Sequence, residues 1–64
     1  MSNNSDAIRY YKKHIKFEPS YYQAWFDLAY ANMAIGEYQK AIEQFKKTVE
    51  IKPDYTEAFT HINL

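Results

Sequence analysis

The chain has 64 residues, no cysteine, and eight basic side chains balanced by eight acidic ones, with seven tyrosines, four phenylalanines and one tryptophan. A domain of about 60 residues buries only roughly 60% of its unfolded surface, and without cysteine neither disulfides nor a thiolate-bound zinc supplement the core. The neutral balance removes the global drive toward nucleic acid or an anionic membrane, and the aromatic area argues against disorder.

Apolar residues at Ala7, Ile8, Tyr11 and Ile15 fall on one helical face, which predicts a first helix between Asp6 and Glu18. Asn4, Ser5 and Asp6 are its candidate caps, and Pro19 ends it by pushing the preceding residue out of the helical region. Ser20-Tyr21-Tyr22-Gln23 has the form of a capping box and predicts a second helix that carries Ala24, Trp25, Leu28, Ala29, Ala31, Asn32 and Ile35. Gly36, the only glycine, closes it through the left-handed conformation.

A third helix is expected from about Tyr38, with Ala41, Ile42, Phe45, Val49 and Ile51 inward and Pro53 as terminator. Its outer face offers the four-residue pairs Glu43 with Lys47 and Lys46 with Glu50. Asp54-Tyr55-Thr56-Glu57 repeats the capping-box pattern and predicts a fourth helix from Tyr55 to Leu64. No stretch alternates with period two, so the expected class is all-α.

Pro19 and Pro53 lie 34 residues apart, and Ala7, Ile8, Tyr11, Ile15 and Phe17 stand in register with Ala41, Ile42, Phe45, Val49 and Ile51. Beyond the prolines, Tyr21, Ala24, Trp25 and Leu28 align with Tyr55, Ala58, Phe59 and Ile62, so one cycle runs through the chain about one and three-quarter times. The period, together with Trp25, Leu28, Ala29, Gly36, Tyr38, Ala41, Phe45 and Pro53, resembles the tetratricopeptide repeat (TPR). The resemblance implies antiparallel helix-turn-helix repeats, a TPR-like α-solenoid fragment of four helices in one unit over residues 1–64. Residues 22–55 are then a complete repeat, 5–21 the second helix of a preceding repeat, and 56–64 the start of the first helix of a following one. It also implies that Trp25, Leu28 and Phe45 fill the wedge between helices that Ala29 and Ala41 bring close. Asn32 and Thr48, with His14 one period before Thr48, depart from the pattern. A buried polar group there needs a hydrogen-bond partner or costs about 1–3 kcal/mol.

In the family, the first helix of each repeat lines a concave surface that binds an extended peptide or a partner's helix. Carried onto this sequence, that surface comprises Gln23, Phe26, Asp27, Tyr30, Met33 and Ala34, continued by Thr60, His61 and Leu64. Phe26, Tyr30 and Met33, spaced by three or four, are not needed for the stripe of Trp25 and Leu28 and form an apolar groove. The alternative is that they pack on another copy or a neighbouring repeat. Phe26 and Tyr30 occupy the places where a family clamp for acidic peptide tails would begin, so that specificity does not carry over.

Arg9, Lys12, Lys13 and Lys16 form a basic ridge, read as a solvated face without an aromatic platform. His14 and His61 lie on different helices, His14 read as polar packing and His61 as surface. No metal, cofactor or catalytic function is expected, because there is no phosphate loop and no nucleophile set beside a histidine and an acid.

Each repeat buries its neighbour's face, so open ends predict self-association. The fourth helix of one molecule, through Phe59 and Ile62, would pair with Ile8, Tyr11 and Ile15 of another to give a head-to-tail stack or a dimer. The expected function is that of a non-catalytic protein-interaction module or scaffold, with a protein, a peptide or its own copies as partner and no nucleic acid or membrane. A structural or designed minimal repeat without a natural ligand is the alternative. The polar start and the lack of any apolar run near the roughly 20 residues of a membrane span make the cytoplasm the expected location.

Overall fold

A computed structural model of the chain describes residues 4–62 and folds them into four helices: α1 (Asn4–Phe17), α2 (Tyr22–Ala34), α3 (Tyr38–Ile51) and α4 (Thr56–Ile62). Among the described residues there is no strand. Packing follows chain order, α1 on α2, α2 on α3 and α3 on α4, as short connections between antiparallel neighbours require. The fold is all-α with a helix-turn-helix repeat architecture.

The two proline turns repeat bond for bond. Glu18 N–H donates to His14 O at 2.9 Å, and one period later Lys52 N–H donates to Thr48 O at 2.8 Å. Tyr21 N–H donates to Glu18 O and Tyr55 N–H to Lys52 O, both at 3.1 Å. Ala24 N–H then donates to Tyr21 O at 3.1 Å and Ala58 N–H to Tyr55 O at 3.2 Å, opening α2 and α4 alike. The 34-residue period is therefore a repeat of backbone hydrogen bonding as well as of residue types.

The expected capping box at Ser20 does not form. Tyr21 is the N-cap of α2, in extended conformation at φ −82° and ψ 93°, and no side chain caps the helix. Its first turn is tied down from another direction: Trp25 Nε1–H donates to Pro19 O at 2.8 Å, across the turn. Helix α4 begins at Thr56, one residue after the expected start, and its expected last residues, 63 and 64, lie outside the described residues. At the other end of α2 the expectation holds. Gly36 has φ 87°, Gly36 N–H donates to Met33 O at 3.1 Å, and Glu37 N–H donates to Asn32 O at 2.8 Å. This doubly bonded closure satisfies carbonyls that the last turn leaves free.

Helix α2 lies between α1 and α3 and buries residues around most of its circumference: Ala24, Phe26, Leu28, Ala29, Ala31 and Asn32. Ala29 and Ala41 are buried at the contact with α3, where small side chains let the axes approach. The main cluster joins Phe26, Ala29, Ala41, Phe45 and Ala58, with Met33, Val49, Tyr55 and Ile62 packed against it. Phe26 thus belongs to the core, contrary to the expectation that it is dispensable there. Trp25 is only half-buried, and Lys47 Nζ lies 5.8 Å from its ring centroid.

Two of the polar departures from the repeat pattern, Asn32 and Thr48, are satisfied, and by the same residue. Asn32 Nδ2 donates to Gln44 Oε1 at 2.8 Å and to Leu28 O at 3.3 Å, while Thr48 Oγ1 donates to Gln44 O at 2.9 Å. Among the described residues no buried side-chain nitrogen or oxygen lacks a partner, so neither carries the desolvation penalty of an orphaned group. On the outer face of α3, Lys47 pairs with Glu50 at 2.9 Å, three residues away, in place of the four-residue pairing with Glu43. Exposed pairs of this kind contribute about 0–1 kcal/mol.

Candidate protein-interaction surface

An aromatic wall runs across α2, α3 and α4. Phe26 sits at its base, 8% exposed, with its ring edge-on to Tyr55 at 5.0 Å, to Phe45 at 5.5 Å and to Tyr30 at 5.5 Å. His61, from α4, stacks on Phe45 with centroids 4.6 Å apart and planes 13° apart, and meets Tyr30 edge-on at 5.2 Å. Tyr22 extends the wall beyond Tyr55, 5.3 Å away. Offset and edge-on ring pairs of this kind contribute about 0.5–1.5 kcal/mol each beyond the area they bury. The wall is therefore stiff below, and Tyr30, 49% exposed, stands at its mouth.

The nine residues expected to bind a partner separate into distinct environments. Phe26, Tyr30 and His61 are brought together, and His61 is half-buried in ring contacts, where a surface position was expected. Met33 is half-buried against the core, while Gln23, Ala34 and Thr60 are exposed. Thr60 Oγ1 donates to Thr56 O at 3.3 Å. Leu64 lies outside the described residues. Of the residues expected to self-associate, Ile8, Tyr11 and Ile15 are half-buried on α1, and Ile62 packs on this chain's own core. The side chain of Phe59 lies outside the described residues.

Asp27 and Ala34 face another way, toward α1. With Tyr30, Asn4, Tyr11 and the alanines at 7 and 31 they line a cleft of about 270 Å³ between α1 and α2. Burial pushes the Asp27 carboxyl above its ordinary pKa. Tyr55 is likewise raised, first by burial and then by the negative charge of Glu57. Asp54 moves the opposite way, because Lys52 Nζ approaches its Oδ1 at 3.2 Å and holds the carboxylate charged.

Residue-by-residue reading missed the α1 wall of the cleft and the role of Tyr55 and Tyr22. It also missed an exposed aromatic row beside the basic ridge. Tyr10 and Phe17 are 63% and 78% exposed, and with Lys13 and His14 they line a shallow groove. The ridge therefore does border aromatic side chains; the seven-residue spacing of Tyr10 and Phe17 was the signal for it. Arg9 is tied to Asp6 at 3.6 Å on the same helix.

Among the described residues no group of three His, Cys, Asp or Glu side chains is placed to hold a metal ion. No described helix is long and apolar enough to cross a membrane. Comparison with protein-family models gives a match to the tetratricopeptide repeat over residues 22–55.

Proposed function

The chain belongs to the tetratricopeptide repeat family, whose model spans more than half of it, and from that premise we propose that it is a non-catalytic protein-interaction module that binds a peptide or helix through Tyr30 and the wall behind it. Repeats of this family generally mediate protein–protein interactions. The observation that carries the reading is the exposure of Tyr30 above a base of Phe26, Phe45 and His61 that packing already fixes. A preorganised aromatic at the surface loses little rotamer freedom when a partner covers it, which is why such residues anchor interfaces. In this reading Gln23, Met33 and Thr60 belong to the same binding surface as that anchor, and Ala34 to the neighbouring cleft. The setting is an intracellular scaffold, in the cytoplasm, with α1 and α4 as parts of a preceding and a following repeat.

Titration with a library of helical peptides, followed by Trp25 fluorescence, tests this. Saturable binding that weakens about ten-fold or more in Tyr30→Ala, a loss of roughly 1.4 kcal/mol, is the expected result. Equal affinity for wild type and Tyr30→Ala overturns the reading.

A second reading is association between copies through α1, favoured by the exposed Tyr10 and Phe17 and the half-buried Ile8, Tyr11 and Ile15. It predicts that apparent mass, measured by light scattering on a sizing column, rises with concentration and that Tyr10→Ser with Phe17→Ser abolishes the rise. A single monomeric mass at every concentration contradicts it.

A further inference from the structure

Asp27 is the only charged residue of α2, and it sits half-buried in the α1–α2 cleft. None of the ion pairs among the described residues involves it: Arg9 pairs with Asp6, Lys47 with Glu50 and Lys52 with Asp54. The internal period supplies a direct comparison for this site. Thirty-four residues on, Ala7 becomes Ala41, Tyr11 becomes Phe45 and Asp27 becomes His61. There, between α3 and α4, side chains of a third helix fill the space, because Phe26 and Tyr30 reach across from α2 to within 6.3 Å and 5.2 Å of the His61 ring. The α1–α2 cleft has the same alanine, an aromatic in the same place and Tyr30 at its rim, with a carboxylate where the imidazole stands.

We propose that this cleft receives an arginine side chain carried on a helix of a protein partner, with the guanidinium on Asp27 and its stem between Tyr11 and Tyr30. The proposal rests on the reading of the chain as a protein-interaction module and names the chemistry of the partner. Charge decides the occupant. A half-buried carboxylate without a paired cation among the described residues is stabilised by a donor of opposite sign, and a planar guanidinium meets both oxygens in a way that a lysine ammonium does not. Tyr11 and Tyr30 line the same space, and a weakly hydrated guanidinium is attracted to aromatic rings. The space, about 270 Å³, accommodates one long side chain, and the alanines at 7, 31 and 34 let a helix backbone come close. Burial of the Asp27 carboxyl agrees with this, since the site already excludes part of the water that would compete with the guanidinium.

The test uses the whole chain, labelled with ¹⁵N, and three synthetic helical peptides that share an apolar face of leucine and alanine and differ at one central position: arginine, glutamate or norleucine. The arginine peptide is expected to bind about ten-fold more tightly than the glutamate peptide, with the largest amide shifts at Tyr11, Asp27 and Ala31. Asp27→Asn should erase that preference, and Asp27→Arg should transfer it to the glutamate peptide. Circular dichroism establishes that both variants are folded, which their half-exposed position favours. Equal affinity for all three peptides, or an arginine preference that persists in Asp27→Asn, overturns the proposal. Binding that maps to Tyr30 and His61 without arginine preference overturns it while leaving the interaction module standing; no binding by any peptide counts against both.

Discussion

Replacing Phe26 by alanine separates a core residue from a groove residue more sharply than any other single change. The side chain is 92% buried by its 8% exposure, so its transfer from water alone is worth about 1.5–3 kcal/mol. Edge-on contacts with Phe45 and Tyr55 add about 0.5–1.5 kcal/mol each, and the expected loss falls in the range of about 3–5 kcal/mol observed for such truncations. At roughly 0.05–0.15 kcal/mol per residue, a chain of this length has about 3–10 kcal/mol in total. The variant should therefore stand near the edge of unfolding, with a melting temperature lower by at least roughly 12–24 °C. Urea unfolding followed by far-ultraviolet circular dichroism and by Trp25 fluorescence measures the loss, and Phe26→Leu, which keeps an apolar side chain but loses the two ring contacts, should cost less than Phe26→Ala, about 1–3 kcal/mol. If Phe26→Ala costs under about 0.5 kcal/mol, in the range of surface substitutions, the aromatic wall is not part of the core and the reasoning fails.

Gly36→Ala should destabilise by about 1–2 kcal/mol, because φ is 87° while no atom lies within 4 Å of an added Cβ; a neutral effect in chemical unfolding would contradict the left-handed closure of α2. Asn32→Ala should cost about 1–2 kcal/mol by leaving Gln44 Oε1 without its donor, and a double-mutant cycle with Gln44→Ala should show coupling of about 0.5 kcal/mol or more; strict additivity would remove that bond from the account. Asp27→Asn should stabilise the chain at neutral pH. The folded carboxyl is raised by burial, so its ionisation disfavours the folded state above the folded pKa; this penalty fades as pH falls through that value and is gone below the unfolded pKa. Parallel stability curves for the two proteins across acidic pH would contradict it. Lys52→Met should return the Asp54 titration, followed by NMR, upward toward the ordinary carboxylate range, and an unchanged titration would show that the pair does not form in solution.

The helices and their order were legible because each boundary carries a local cause: prolines at 19 and 53 and a glycine at 36 that only one backbone conformation explains. The interior of α2 was not. A helix that packs on two neighbours is apolar around most of its surface, so helical spacing does not choose between Trp25 and Phe26 for the core. Tyr22, Phe26 and Tyr55 acquire their places from contacts between elements far apart in sequence. The capping box failed for a related reason: Ser20 has the right residue type, but the turn places Tyr21 at the N-cap and uses the Trp25 side chain as its tie. Thr48 and Asn32 read as anomalies singly, and only the shared partner Gln44, four and twelve residues away, reconciles them. The cleft at Asp27 is visible in sequence only after the period aligns it with His61.

The central claim is that a partner covers Tyr30 while Phe26 and Phe45 stay buried beneath it. Intermolecular nuclear Overhauser effects between the labelled chain and a bound helical peptide test it most directly. Cross-peaks from the peptide to the Tyr30 ring, with none to Phe45, which is 1% exposed, are the predicted result. Cross-peaks confined to Tyr10 and Phe17, with Tyr30 untouched, would contradict it.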